Sequence, residues 1–318
     1  MSNFGVSPQD LLRSYHAIVV NEPKLKINAA VNVINYISDM PSANRAEANR
    51  VGGRMAKNYF GTKHGSLSDL QRLPQPFYIK TSKVFAPDEP FTAGSLVRAF
   101  GGRASPDELV DALRLAVATH CCEPNGVAAY AQKWFGLDCN AFVGNWLGVS
   151  PGTSISAYAN GYGEGIPSGA TPDVLVTKDI VRLPPVTDPA AIGEGTLVLT
   201  FGTPDKKSPS HWKHIAIVQS VRPAGTGKYY LTLAEWGRPG NFEDHMTRDK
   251  LVTLTDQRTL DWTSSAGEAK TSKLLGGAKC LAYRTTRFGK DVLCVFLDSS
   301  KLDYLSSRGW DIGGHYGT

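Results

Sequence analysis

Apolar residues along this chain follow a helical period in the first half and a strand period in the second. Leu11, Leu12, Tyr15, Ile18 and Val19 recur at helical spacing behind Ser7-Pro8, a cap followed by a proline at the first helical position. A second helical stripe is expected from Ile27, Ala30, Val31, Ile34 and Ile37. A third and weaker one is expected over 43–60, interrupted at Gly52-Gly53. Residues 61–100 hold several prolines and one expected strand near Phe77–Ile79, and read as a connecting or wrapping segment. Ser105-Pro106-Asp107-Glu108 then combines a cap, an N1 proline and an acid three residues after the cap, which predicts a helix to about Thr119. Further helices are expected over Val127–Phe135 and Asn140–Leu147.

Residues 148–192 are rich in Gly, Ser, Thr and Pro around Gly161-Tyr162-Gly163-Glu164-Gly165, and read as a long loop or small subdomain. From Gly195 onward the pattern predicts strands over Thr196–Phe201, His214–Val221, Tyr229–Ala234, Leu251–Leu254, Lys279–Tyr283 and Val292–Leu297. Arg222–Gly227 fits a hairpin loop between two of them. Helices first and strands after them is the α+β order. The expected organisation is a helical region of unknown role over 1–100, an α+β domain over 101–290, and a C-terminal strand and tail over 291–318.

Composition narrows the class. A chain of 318 residues, 42% hydrophobic and 20% charged, can bury a full core and is not of disordered type. Its formal charge of +5 and sequence pI near 8.8 are mild. No basic cluster is interleaved with aromatics, so nucleic acid is not an expected partner. No apolar run approaches the ~20 residues of a membrane span. Met1-Ser2-Asn3-Phe4-Gly5 lacks the charged start and apolar stretch of a secretory signal, so the expectation is synthesis in a cytoplasm without export by the general route. Five cysteines, an odd and scattered number, do not make a disulfide framework and leave at least one thiol for chemistry.

Three short pieces carry candidate chemistry. Gly136-Leu137-Asp138-Cys139-Asn140 places a thiol at the first turn of an apolar helix, where unpaired backbone N–H groups and the aligned dipole favour an anion. His214 opens a strand of buried type, and Glu235 closes the next strand, one hairpin away. Nucleophile, base and a carboxylate to orient the base are the parts needed for nucleophilic acyl transfer. Each taken alone has a structural explanation: core packing for the cysteine, a satisfied polar group for the histidine, a solvated strand end for the glutamate.

Other motifs are set aside on chemical grounds. Gly148-Val149-Ser150-Pro151-Gly152 has the spelling of a serine-hydrolase elbow, but a helix precedes it and Pro151 lacks the N–H that an oxyanion needs. His211 and His214 with His120-Cys121-Cys122 make a poor zinc set without a Cys-x-x-Cys pair. Cys121 and Cys122 are rival nucleophiles separated from the following helix by the Glu123–Gly126 turn, while Cys280 and Cys294 read as strand core. Gly225-Thr226-Gly227-Lys228 lacks the upstream glycine of a phosphate loop. Neither a metal nor a cofactor is expected.

Asp138-Cys139-Asn140-Ala141-Phe142-Val143 resembles the Asp-Cys-Ser-Gly-Phe/Leu-Val signature of the NlpC-type cell-wall peptidases, which are papain-like cysteine hydrolases. Gly193-Glu194-Gly195-Thr196-Leu197-Val198 is similar to that family's Pro-Gly-Asp-Leu-Val, and His214-Ile215-Ala216-Ile217-Val218 to its His-Val-Gly-Ile-Val strand. The three motifs fall in the family's order across about residues 104–285. Departures are equally specific. Asn140-Ala141 stands for Ser-Gly, the Tyr-x-x-Gly-Gly stretch is absent, and Glu235 stands where the third residue is commonly His, which is closer to the related CHAP amidases with their Cys, His and then Glu or Asn. The resemblance implies a papain-like α+β fold, with the Cys139 helix packed on an antiparallel sheet bearing His214. It also implies cleavage of amide bonds in bacterial peptidoglycan stem peptides by Cys139, His214 and Glu235 without a metal. Such an enzyme without an export signal fits an antibacterial effector delivered to a target-cell periplasm, or a phage-type lysin, and an effector implies an inhibitory immunity partner. Two other readings stay open: a transferase or deamidase acting on host protein or lipid through the same centre, and an inactive binding module on the same scaffold.

Overall fold

The computed structural model describes residues 6–37, 40–60, 65–70, 92–148, 192–201, 212–225, 228–237, 239–254, 259–263, 269–274, 283–285 and 292–298. The strand expected at Phe77–Ile79, the Gly161–Gly165 stretch, Ser150, His211 and Cys280 lie outside them. Two compact units emerge. One comprises Asp10–Phe142 with Trp236–Asp244; the other comprises Met1–Gln9, Val143–Glu235 and His245–Thr318.

In the first unit, helix α1 (Pro8–His16) buries Leu11, Leu12 and Tyr15 on one face, as its spacing requires. The helical expectation then fails: Ile18–Glu22 and Ile27–Val31 are antiparallel strands, β1 and β2, with Ile18 opposite Val31. Val19 is 66% exposed between buried Ile18 and Val20, so burial here has period two and not 3.6. The β-branched run Ile18-Val19-Val20 favours that pleat. Pro23 opens a single 3-10 turn that Lys26 ends in the left-handed region, at φ 58°. Residues 1–100 are therefore not wholly helical.

Helix α2 (Ser42–Phe60) matches the third stripe but runs unbroken through its glycine pair. A Cβ on Gly53 would lie 2.1 Å from the Gly65 carbonyl oxygen, and one on Gly52 would lie 2.7 Å from Leu67 Cδ1. The glycines admit the backbone leading into α3 (Leu67–Leu70). Helix α4 (Ala93–Phe100) is capped by Thr92, and α5 (Pro106–Ala118) by the expected Ser105–Glu108 capping box. Helix α6 (Val127–Trp134) follows. Phe100 meets Phe135 edge-on at 5.1 Å, Tyr15 meets Trp236 at 5.6 Å, and all four rings are buried.

The second unit is a sheet. Its strands are β5 (Leu197–Phe201), β6 (Trp212–Gly225), β7 (Lys228–Glu235), β8 (Met246–Leu254), β9 (Thr259–Thr263), β10 (Ala269–Leu274), β11 (Tyr283–Thr285) and β12 (Val292–Asp298). The order is β10-β9-β8-β7-β6-β5-β12-β11, antiparallel throughout except for the parallel pair β5–β12. Strand β10 also pairs with β12, so the order closes on itself. Ile215 to Val218 of β6 are all buried, the mark of a central strand covered on both faces. Gly225 pairs with Lys228, which makes the hairpin tighter than the expected 222–227 loop. Strands β9 and β10 were not expected from the pattern. The strand at 292–298 lies beside β5 within this sheet.

Candidate active site

Cys139 is the first residue of helix α7 (Cys139–Leu147), and the segment before it is held residue by residue. Gly136-Leu137 forms a short strand β4 parallel to β3 (Asn35–Tyr36). A Cβ on Gly136 would come 2.6 Å from Ile37 Cγ1 and 2.7 Å from the Asn35 carbonyl, so only glycine fits this approach. The Asp138 N–H donates to the Gly102 carbonyl at 2.9 Å, and Gly102 itself sits at φ 74°. The Asp138 carboxylate, 2% exposed, accepts from the Ala141 N–H at 2.6 Å and so caps α7. Arg103 Nε stands 3.8 Å from its second oxygen. The Cys139 thiol is buried and lies 3.8 Å from Asn140 Oδ1. Gly148, at φ 70°, ends α7 in the left-handed conformation typical of helix C-termini, which accounts for the first glycine of the rejected serine-hydrolase spelling.

His214 and Glu235 come together in the sheet unit. Thr200 of β5 pairs with His214, and Glu235 pairs with Ala216, two residues along the same face. That diagonal relation brings His214 Nε2 to 2.8 Å from Glu235 Oε2. Their side chains are 25% and 20% exposed, so the pair is partly screened from water and still open to solvent. The β6–β7 ladder stops at Glu235, which frees the carboxylate from a strand interior. Trp236 follows at once and is buried, with its indole N–H donating to the Asn35 carbonyl at 3.0 Å. Cys139 belongs to the helical unit, His214 and Glu235 to the sheet unit.

The rival thiols sit in a structural turn. His120 adopts φ 56°, and the Cys121 and Cys122 N–H groups both donate to the Ala116 carbonyl, closing the end of α5. Arg50 and Arg54 of α2 donate to the carbonyls of Cys121, Thr119 and His120. Burial, then the charges of Glu123 and Cys121, push the Cys122 thiol up to about 11, which disfavours a nucleophile. Among the described residues, no three His, Cys, Asp or Glu side chains gather as a metal site.

Two residues at the site were not singled out in the sequence. Asp138 stands directly before the helical stripe of α7, where an acid is a cap signal. Arg103 lies 35 positions upstream in sequence from Asp138 and carries no local mark. Compared with protein-family models, curated proteins and solved structures, the chain matches none. Among the described residues no helix is long and apolar enough to cross a membrane.

Proposed function

We propose that this protein is a cysteine amidase or endopeptidase that cleaves amide bonds in the stem peptides of bacterial peptidoglycan, with Cys139 as nucleophile, His214 as general base and acid, and Glu235 as the group that orients His214. The observation that carries this reading is the 2.8 Å bond between His214 Nε2 and Glu235 Oε2. A carboxylate on one ring nitrogen fixes the tautomer and the plane of the imidazole and favours the imidazolium. A second support is the position of Cys139 at the start of a capped helix.

With Glu235 on Nε2, proton traffic runs through Nδ1. Cys139 Sγ bonds to the amide carbonyl carbon as its proton passes to His214. The oxyanion that forms takes a hydrogen bond from the Cys139 backbone N–H. His214 then protonates the amine nitrogen as the C–N bond breaks, leaving a thioester. Water gives a proton to His214, attacks the thioester carbon and releases the acid, and the proton returns to sulfur.

Mass spectrometry of purified peptidoglycan after incubation tests the reading. New free amine and carboxyl ends are expected with the native protein and none with Cys139→Ala. An unchanged muropeptide profile with the native protein would remove it.

A further inference from the structure

Trp236 reaches the segment that carries Cys139 on both sides of the thiol. Its side chain is fully buried, and its indole N–H donates to the Asn35 carbonyl at 3.0 Å. That carbonyl lies against Gly136, three residues before Cys139, where a Cβ would stand 2.7 Å from the Asn35 oxygen. Asn35 also holds the chain that leads into Gly136, with which it pairs in the β3–β4 ladder. Its side-chain amide donates to the Phe135 carbonyl at 3.0 Å and to the Gln132 carbonyl at 2.5 Å, closing the end of α6. Beyond the thiol, the same indole meets the ring of Phe142, three residues after Cys139, at 6.5 Å.

The indole is itself held in place. Tyr15 meets it edge-on at 5.6 Å, and His16 stacks on it at 5.0 Å with 14° between the planes. Further along, the Gly240 N–H donates to the Ile34 carbonyl at 2.8 Å, so the chain after Trp236 stays beside the strand that Trp236 bonds. A buried tryptophan needs only a hydrogen-bond partner and apolar neighbours. Here the partner is the strand against Gly136, and one neighbour is the first turn of α7. From this placement we infer that Trp236 is a positioning residue for the nucleophile, fixing Cys139 Sγ by holding the backbone before and after it. A nucleophile meets a carbonyl carbon along a narrow line of approach, and a misplacement of about 1 Å costs about a hundredfold in rate. The inference deepens the amidase reading and rests on it for calling Cys139 the nucleophile.

The test replaces Trp236 with benzothienylalanine in the full chain. That residue keeps the shape of the indole and has sulfur in place of the N–H, so the change is aimed at the bond to Asn35. Cysteine isotopically labelled at Cβ gives an NMR signal for Cys139 that needs no turnover. The Cys139 signal should shift, while that of Cys122 in the same unit stays in place. On wall peptides, kcat should fall about tenfold or more with KM held within about twofold, at a temperature where both proteins are folded. Phe142→Leu removes the ring contact and keeps an apolar side chain. It should move the same two readouts, and it decides the question if the first variant does not fold. An unmoved Cys139 signal overturns the inference and leaves Trp236 a core residue, whatever happens to the urea midpoint. In a chain that cleaves, an unchanged kcat, or a loss carried by KM alone, overturns it too. A native chain that cleaves nothing removes the amidase reading, and the Cys139 signal then judges Trp236 by itself.

Discussion

Replacing Asp138 isolates the cap that places Cys139. Its carboxylate is 2% exposed, accepts the Ala141 N–H at 2.6 Å, and stands over the first turn of α7. Loss of an N-cap side chain costs about 1 kcal/mol. A hydrogen bond to a buried charged acceptor raises the figure, so Asp138→Ala should destabilise the chain by about 2 kcal/mol. Asp138→Asn keeps a capping oxygen and should cost less than about 1 kcal/mol. Urea unfolding followed by tryptophan fluorescence gives both numbers, since buried Trp236 shares its unit with Asp138. The alanine variant should also change the rate at which iodoacetamide labels Cys139, read by peptide mapping, while Cys122 labelling stays constant. Equal unfolding midpoints for Asp138→Ala and the native chain would refute the cap as the anchor of the cysteine helix.

Further outcomes follow from other contacts. Glu235→Gln should lower kcat about tenfold or more with little change in KM, because it weakens the orientation of His214 and leaves the substrate contacts in place. Tyr130→Phe should cost about 1–2 kcal/mol by removing the donor to Glu47 at 2.6 Å, measured by denaturation. Burial pushes Glu47 up, but hydrogen bonds from Arg50 and Tyr130 outweigh it and hold the carboxyl below the ordinary 4.5. Its contribution is therefore complete above pH 4.5 and fades as pH falls through the lower folded value, and Glu47→Gln should flatten that acid limb of a stability–pH curve. Gly53→Ala should lower the melting temperature, since its Cβ would lie 2.1 Å from the Gly65 carbonyl oxygen.

Local signals with a single physical cause were legible in the sequence. Ser105-Pro106 with Glu108 marked the start of α5 and forms the full capping box. Cys139 at the opening of α7, and the strands holding His214 and Glu235, were read from spacing alone. The hairpin at 18–31 was misread because apolar positions three and four apart also occur in two strands joined by a turn. What distinguishes them is tertiary: Val19 faces outward and Val20 inward. Gly52-Gly53 looked like a break because the sequence does not display the backbone that packs on them. The His214–Glu235 bond depends on register, which places Glu235 opposite Ala216 and not opposite a neighbour on the other face. Arg103 was hidden for the same reason, as its partnership with Asp138 exists only once α5 and β4 are in place.

The central claim is that the Cys139 sulfur takes the acyl group from a wall peptide with the help of His214. Rapid-quench mass spectrometry with an isotopically labelled stem peptide reads this directly. The account requires a transient adduct of acyl mass on the tryptic peptide containing Cys139, strongly reduced in His214→Ala and absent in Cys139→Ala. Turnover without an adduct at Cys139, or an adduct on another cysteine, would contradict it.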